Sequence, residues 1–197
     1  MKNYNIKLII VSLTFFFAFK SLKAQNDYVI TLKNDTLKGV ISDQIFGGHR
    51  FKSNESTKAV KINVKEYKEF YIASDQRNYC AVLLPNGFNP LFINRVEKGR
   101  IELYELITTT YGAYGMNSSV TSWYVSKDKS PLVMLKHNSW LTFSRDKRKN
   151  EFHELIMDNE SVVKQYEAEE KFSFKSIKAL VQQYNFDAVK KDLENEK

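Results

Sequence analysis

The stretch YVITLKNDTLKGVI, residues 28–41, decides the fold, because its pattern predicts two short strands joined by a turn. Apolar and polar residues alternate on both sides of Asn34-Asp35, which is the period of two that a half-buried strand shows. Asn tolerates the positive φ that a two-residue hairpin turn requires. Such a turn predicts one apolar face made of three facing pairs: Leu32 with Leu37, Ile30 with Gly39, and Tyr28 with Ile41. The other face is rich in Lys and Thr, so we interpret this hairpin as scaffold.

Two further hairpins follow. FINRVEKGRIELYEL, residues 92–106, predicts a turn at Lys98-Gly99, and the third hairpin, WYVSKDKSPLVMLK, turns near residues 128–130. In the second hairpin the turn sets three pairs opposite each other: Glu97 with Arg100, Arg95 with Glu102, and Val96 with Ile101. VKEYKEFYIA and YCAVLL add strands between the hairpins. Residues 25–143 are therefore predicted to form a mainly antiparallel meander of about 7–9 strands, arranged as a curled sheet, a barrel or a sandwich.

The hydrophobic period changes to that of a helix from residue 144 onward. Three segments fit helices, with Ser144, Asn159 and Ser173 as their N-caps. The last, SFKSIKALVQQYN, is the clearest, and FDAVKKDLENEK after it is expected to add a short turn of helix and then fray. We therefore predict an α+β chain in which 2–3 C-terminal helices, residues 144–197, pack on the β-rich part as one compact unit.

The first 24 residues have the layout of a secretory signal peptide. Lys2 and Lys7 precede an apolar run of 12 residues, and a small residue, Ala24, stands before the expected cleavage point. The alternative, an uncleaved anchor, would need roughly 20 apolar residues. Removal of the four leader lysines lowers the formal net charge from +7 to +3, which argues against nucleic acid as a partner. We expect an exported protein, periplasmic or extracellular, with no transmembrane segment after cleavage.

Several short motifs together resemble a family. A leader ending in KAQ, the first hairpin, VKEYKEFYI, FINRVEKGRIELYE and FSFKSIKALVQQYN are similar to a group of secreted, uncharacterised proteins of Bacteroidetes bacteria. That group carries a GDTLKG-like N-terminal hairpin, a Lys-Gly hairpin leading to LYE, and a terminal helix ending in YN; here Asn34 replaces the usual Gly. The resemblance implies export and a shared fold, and it implies no chemistry.

Residues that could carry chemistry are few. Cys80 is the only cysteine, which rules out an internal disulfide, and its place in an apolar strand favours a core residue over a nucleophile. His49, His137 and His153 are not at metal-ligand spacing. The acids alternate with Lys and Arg, as on solvated strand faces. We therefore expect no catalytic set, no metal and no cofactor.

The segment TTTYGAYGMNSS, residues 108–119, contains almost no aliphatic residue, and we interpret it as a long loop. Four aromatic residues lie in or beside it, and they are the candidate binding residues: Tyr111, Tyr114, Trp123 and Tyr124. By strand alternation only one of Trp123 and Tyr124 should point inward, and Trp140 is expected to pin the helices to the sheet.

Three functions stay open at this point. The first is a non-enzymatic binding or scaffold module of the cell envelope, which holds an envelope protein or a glycan through residues 108–124. The second is an assembly subunit that contacts partners through its C-terminal helices. The third is a hydrolase whose site the sequence does not reveal.

Overall fold

The computed structural model describes residues 26–44, 48–111, 117–138, 145–169 and 171–195. The predicted leader, Tyr114, Trp140 and the predicted cap Ser144 lie outside these residues.

Ten strands form one antiparallel sheet that does not close, in the order β10-β9-β8-β7-β6-β5-β1-β2-β3-β4. Their bounds are β1 Asp27–Thr31, β2 Thr36–Asp43, β3 His49–Ser53, β4 Val60–Lys61, β5 Tyr67–Ile72, β6 Arg77–Val82, β7 Leu91–Glu97, β8 Ile101–Tyr111, β9 Asn117–Lys127 and β10 Val133–His137. The α+β class is confirmed, with slightly more strands than predicted, and the sheet is open rather than a barrel or a sandwich.

The first hairpin forms, but its predicted register is wrong. Val29 lies opposite Leu37 and Tyr28 opposite Lys38, so that β1 slides by three residues against β2. The cause is a local turn: the Thr31 hydroxyl accepts hydrogen bonds from the backbone N–H groups of Lys33 and Asp35 and ends β1 early. Val29 is consequently the residue of β1 that is fully buried, whereas Leu32 is exposed.

The register of the second hairpin also differs from the prediction. It shifts between Arg95 and Glu97, which places Arg95 opposite Tyr104. The predicted ion pair between Arg95 and Glu102 still forms, at 3.3 Å, because Arg95 reaches diagonally across the strands. The predicted pairing of Glu97 with Arg100 is wrong, since Glu97 pairs with a lysine of the last helix instead. The third hairpin turns at residues 128–130 as predicted, with positive φ at Asp128 and Lys129.

Three helices follow the sheet: α1 Arg145–Ile156, α2 Glu160–Ala168 and α3 Phe174–Asn195. Asn159 caps α2, and Ser173 accepts a hydrogen bond from the Ser176 N–H at the start of α3. α3 continues to Asn195 instead of adding only a short turn after Asn185, and residues 186–195 contain neither Gly nor Pro to end it.

The buried apolar residues form three clusters. The largest lies between the three helices and strands β8–β10. A second, centred on Phe51 and Phe70, fills the concave side of β1–β6 on the same face of the sheet. The third occupies the opposite face around Ile93, Tyr104 and Tyr124, where Leu84 and Leu132 from neighbouring loops pack against it. The central strands are therefore covered on both faces.

Candidate functional site: a β-hairpin arm and a buried charged network

The segment predicted as a loop is largely a β-hairpin. β8 and β9 pair without interruption from Ile101–Lys127 to Tyr111–Asn117, so the expectation of a loop is wrong for residues 108–111 and 117–119. The consecutive threonines at 108–110 explain the difference, because Thr has high β propensity even where no aliphatic residue signals a strand. Residues 112–116 lie outside the described part of the chain.

The distal half of this hairpin extends beyond its neighbours in the sheet, and we call residues 106–111 with 117–121 the arm. On one side the pairing of β7 with β8 ends at Asn94–Glu105. On the other side β10 pairs with β9 only as far as Ser122, after which Asn138 contacts Thr121. Residues 107–111 and 117–119 are exposed on both faces. Among the described residues, no strand therefore pairs with the outer edges of the arm.

A cleft opens where β7 and β8 part. It has a volume of about 220 Å³, and its walls include Tyr79, Phe92, Leu106 and Ile107. Arg77 lies at the same cleft. The β8 edge of the arm is thus bordered at its base by apolar and aromatic side chains.

The structure separates the four predicted aromatic residues. Tyr111 is 79% exposed on the arm, and Tyr114 lies outside the described residues. Trp123 packs on Phe174 of α3, with ring centroids 4.4 Å apart, and its indole N–H donates to Glu105. Tyr124 lies on the opposite face in the third cluster. The two rings alternate as predicted, but both are 5% exposed, so the expectation that only one of them is buried is wrong.

A charged network, of which the sequence predicted only the pair of Arg95 with Glu102, crosses the face of the sheet away from the helices. The Arg95 guanidinium bridges two carboxylates, with Nη2 3.1 Å from Glu69 and Nη1 3.3 Å from Glu102. The Tyr104 hydroxyl donates to Glu102, and Asn78 donates to Glu69. The Arg95 side chain is only 10% exposed. These residues come from four neighbouring strands, β5 to β8. The second hairpin predicted the pair of Arg95 with Glu102, but no local signal in the sequence joins that pair to Glu69 and Asn78.

Cys80 lies at one end of this network, with its Sγ 3.2 Å from the Asn78 side-chain oxygen. Burial raises the pKa of the Cys80 thiol to about 12, because the thiolate would lose its hydration. Burial likewise raises the pKa of Tyr104. At neutral pH both groups are neutral. The prediction that Cys80 is a buried core residue is confirmed, and its protonated thiol is a poor nucleophile.

A second ionic cluster ties α3 to the sheet. Asp158 accepts hydrogen bonds from Lys127 Nζ and from the Tyr184 hydroxyl, while Arg100 forms a two-bond pair with Asp128. An open cleft of about 300 Å³ lies beside Arg100, Asp158 and Tyr184. Asp158 pairs with Lys127 and Asp128 pairs with Arg100, so the charges of this cluster serve to dock the helix on the sheet.

The three histidines lie apart, on β3, β10 and α1. His49 Nδ1 is 2.7 Å from Asp43, and His137 Nδ1 is 2.9 Å from the Ser122 hydroxyl. Within the ranges that the structure describes, no three His, Cys, Asp or Glu residues are grouped so that they could hold a metal ion.

Comparison with known proteins finds no matching family model, no similar curated protein and no similar solved structure. No helix in the described part of the chain has the length and apolar character needed to cross a membrane.

Proposed function

We propose that this chain is an exported, non-enzymatic binding module of the cell envelope, and that the arm takes up an extended segment of a partner protein as an added strand. The leader and the resemblance to secreted proteins support export. The single observation that carries the binding proposal is that the arm leaves the sheet with its outer strand edges unpaired among the described residues.

The composition of the arm supports this use. Residues 106–126 contain no Asp, Glu, Lys, Arg or His, although 27% of the chain is charged. Proteins usually protect an open strand edge with charges, Pro or a covering element, because unpaired backbone groups attract other strands. The arm has neither charge nor Pro, and it is rich in β-branched residues that favour extended pairing. An edge left in this state suits the addition of a partner strand.

The surroundings of the arm favour a polypeptide over a glycan as the partner. In strand addition, main-chain hydrogen bonds supply affinity and pockets beside the edge accept alternate side chains of the peptide. The cleft between β7 and β8, with Phe92 and Ile107 in its walls, offers such a pocket. A sugar platform would need exposed rings, and Tyr111 is the one exposed aromatic residue in the described part of the arm.

The test is co-purification after crosslinking in cells that express the full-length chain. Thr108→Lys and Thr110→Lys place a charge on the open edge, where it should prevent addition of a strand. Both residues are exposed, so we expect the fold to be retained while partner capture falls at least tenfold. Thr36→Lys, at an exposed position of β2, is the matched control and should leave capture unchanged. Equal capture by the arm variants and the control would contradict the proposal.

A further inference from the structure

The last helix carries a second apolar face, opposite the face that it buries. Helix α3 packs on the sheet through four buried residues: Ile177, Leu180, Val181 and Tyr184. At 3.6 residues per turn, Phe186, Val189 and Leu193 point about half a turn away from that face. They are 66%, 59% and 58% exposed. From Asp187 onward, the side of the helix that continues the buried face carries Ala188, Lys191 and Asn195, of which only the small Ala188 is apolar. The amphipathic phase of α3 therefore reverses near Asn185.

The exposed residues of α3 follow a heptad rule along most of its length. From Phe174 to Val189 the exposed positions are 175, 179, 182, 186 and 189, and Leu193 extends the same alternation of four and three residues. This spacing is that of the a and d positions of a coiled coil. We call these six residues the seam: Lys175, Ala179, Gln182, Phe186, Val189 and Leu193.

The halves of the seam are unlike each other and complementary. The N-terminal half holds Lys175, Ala179 and Gln182, and the C-terminal half holds three large apolar residues. An antiparallel partner with the same sequence would place Leu193 beside the Lys175 stem, Val189 beside Ala179, and Phe186 beside Gln182. Each large side chain would then meet a small or long flexible one, as close packing requires. A parallel partner would instead set Lys175 against Lys175.

The charges beside the seam agree with the antiparallel arrangement. In that register Lys178 of one helix faces Asp192 of the other, twice by symmetry. Lys178 Nζ lies 3.4 Å from Glu97 Oε1 within the molecule, yet its side chain is 43% exposed and can reach a second carboxylate. Asp192 is exposed. The seam lies on the side of α3 opposite the residues that pack on the sheet, so β7 and β8 do not stand between two molecules that meet there.

We infer that α3 is a dimerisation helix, and that its seam binds the seam of a second copy of this chain in antiparallel orientation. A two-fold contact of this kind uses one surface twice and closes on itself. The inference concerns the helical part of the chain and does not depend on the arm.

The first test is sedimentation of the protein, purified after full-length expression, over a range of concentrations. The wild type should pass from one chain to two as the concentration rises, since dimer formation follows mass action. Val189→Asp should raise the dissociation constant at least tenfold. Val40→Asp is the matched control, because Val40 is 62% exposed on β2, and it should leave the constant unchanged. A monomer at every concentration, or equal constants for the two variants, would overturn the inference.

Orientation is tested by disulfide trapping between differently tagged copies. Ala179→Cys mixed with Val189→Cys should give a crosslinked pair under mild oxidation, whereas Ala179→Cys alone should not. The native Cys80 is buried and should stay unreacted. A self-crosslink of Val189→Cys that equals or exceeds the mixed pair would contradict the antiparallel arrangement.

Discussion

The two ends of the sheet bury their apolar residues in different ways. At the β8–β10 end, eight buried residues of the helical segment pack on five buried residues of the strands. The helices form one layer of this core and the sheet forms the other. At the β1–β6 end no described helix covers the core; the strands curl around Phe51 and Phe70, and aromatic rings fill the interior. Phe70 stacks on Tyr79 at 4.7 Å between ring centroids and meets Phe92 edge-on. Curvature and large aromatic rings bury the apolar residues at one end of the sheet, and helices bury them at the other.

Both proposed interaction surfaces lie at the helix-covered end of the sheet. The helix-covered end adds two features that the curled end lacks, the arm and the seam, and both extend away from the core that holds them. The curled end is a sheet terminus whose last strand, β4, is only two residues long, which limits the exposed edge. The predictions below test whether the two ends are one cooperative unit and what each depends on.

The largest effects are expected from matched cavities in the two cores. Phe152 of α1, in the core between the helices and the sheet, and Phe70, in the curled half, are both fully buried. Replacement of either by Ala should lower the free energy of unfolding by about 3–5 kcal/mol. Because β5–β8 join the ends in one sheet, far-UV and near-UV dichroism should report one transition in each variant. Separate transitions in Phe152→Ala would show instead that the helices unfold on their own.

A smaller effect is expected at Gly39, where β2 passes close to β3 in the curled half. A Cβ at this position would lie 2.1 Å from the Lys52 carbonyl oxygen and 2.6 Å from the Phe51 ring. Gly39→Ala should therefore destabilise the fold by about 2–3 kcal/mol through overpacking, measured by urea denaturation. Gly87→Ala, whose nearest contact would be 3.1 Å, should cost clearly less. Equal costs would mean that β2 and β3 can move apart freely.

The smallest effect concerns acid and the docking of α3. Burial acts to raise the pKa of Asp158, but hydrogen bonds from Lys127 and Tyr184 outweigh it and hold this pKa below the ordinary range. The hydrogen bond from Arg100 lowers the pKa of Asp128. Carboxylates with depressed folded-state pKa values stabilise the fold above about pH 4, the ordinary value for Asp, and this contribution is lost as the pH falls through the folded-state pKa.

Asp158→Asn should accordingly destabilise the fold at pH 7 by about 1 kcal/mol, a modest figure because the site is partly screened by solvent. The difference from the wild type should shrink as the pH is lowered below about 4. Glu55→Gln, in the exposed turn after β3, is the control and should change stability little at any pH. A loss that stays constant down to pH 3 would show that the carboxylate charge plays no part.

Hydrophobic periodicity predicted the secondary structure of most segments. The strand register and the charged network depend on contacts that periodicity does not report. The period of two found the strands, and caps with a period of 3.6 found three helices. The predicted register of the first hairpin was wrong by three residues, because the hydroxyl of Thr31 forms a local turn that ends β1 at this residue. The network of Glu69, Arg95 and Glu102 needed strand order, which no single segment encodes.

The structure of the segment that we propose as a binding site was not predicted correctly. Residues 108–119 were interpreted as a loop because they contain almost no aliphatic residue, although the threonines at 108–110 pair as a strand. Trp123 and Tyr124 are core residues because both faces of β9 are covered. Tyr111 is the predicted residue that the described arm presents to solvent.

The central claim, that the arm contacts a partner strand, is tested most directly by site-specific photocrosslinking in cells. A photoreactive phenylalanine analogue in place of Tyr111 samples the arm, and the same analogue in place of Phe88, which is 97% exposed in the loop before β7, is the control. We predict one dominant crosslinked protein from position 111, attached through an extended segment, and no such product from position 88. The same products from both positions, or none from position 111, would contradict the account.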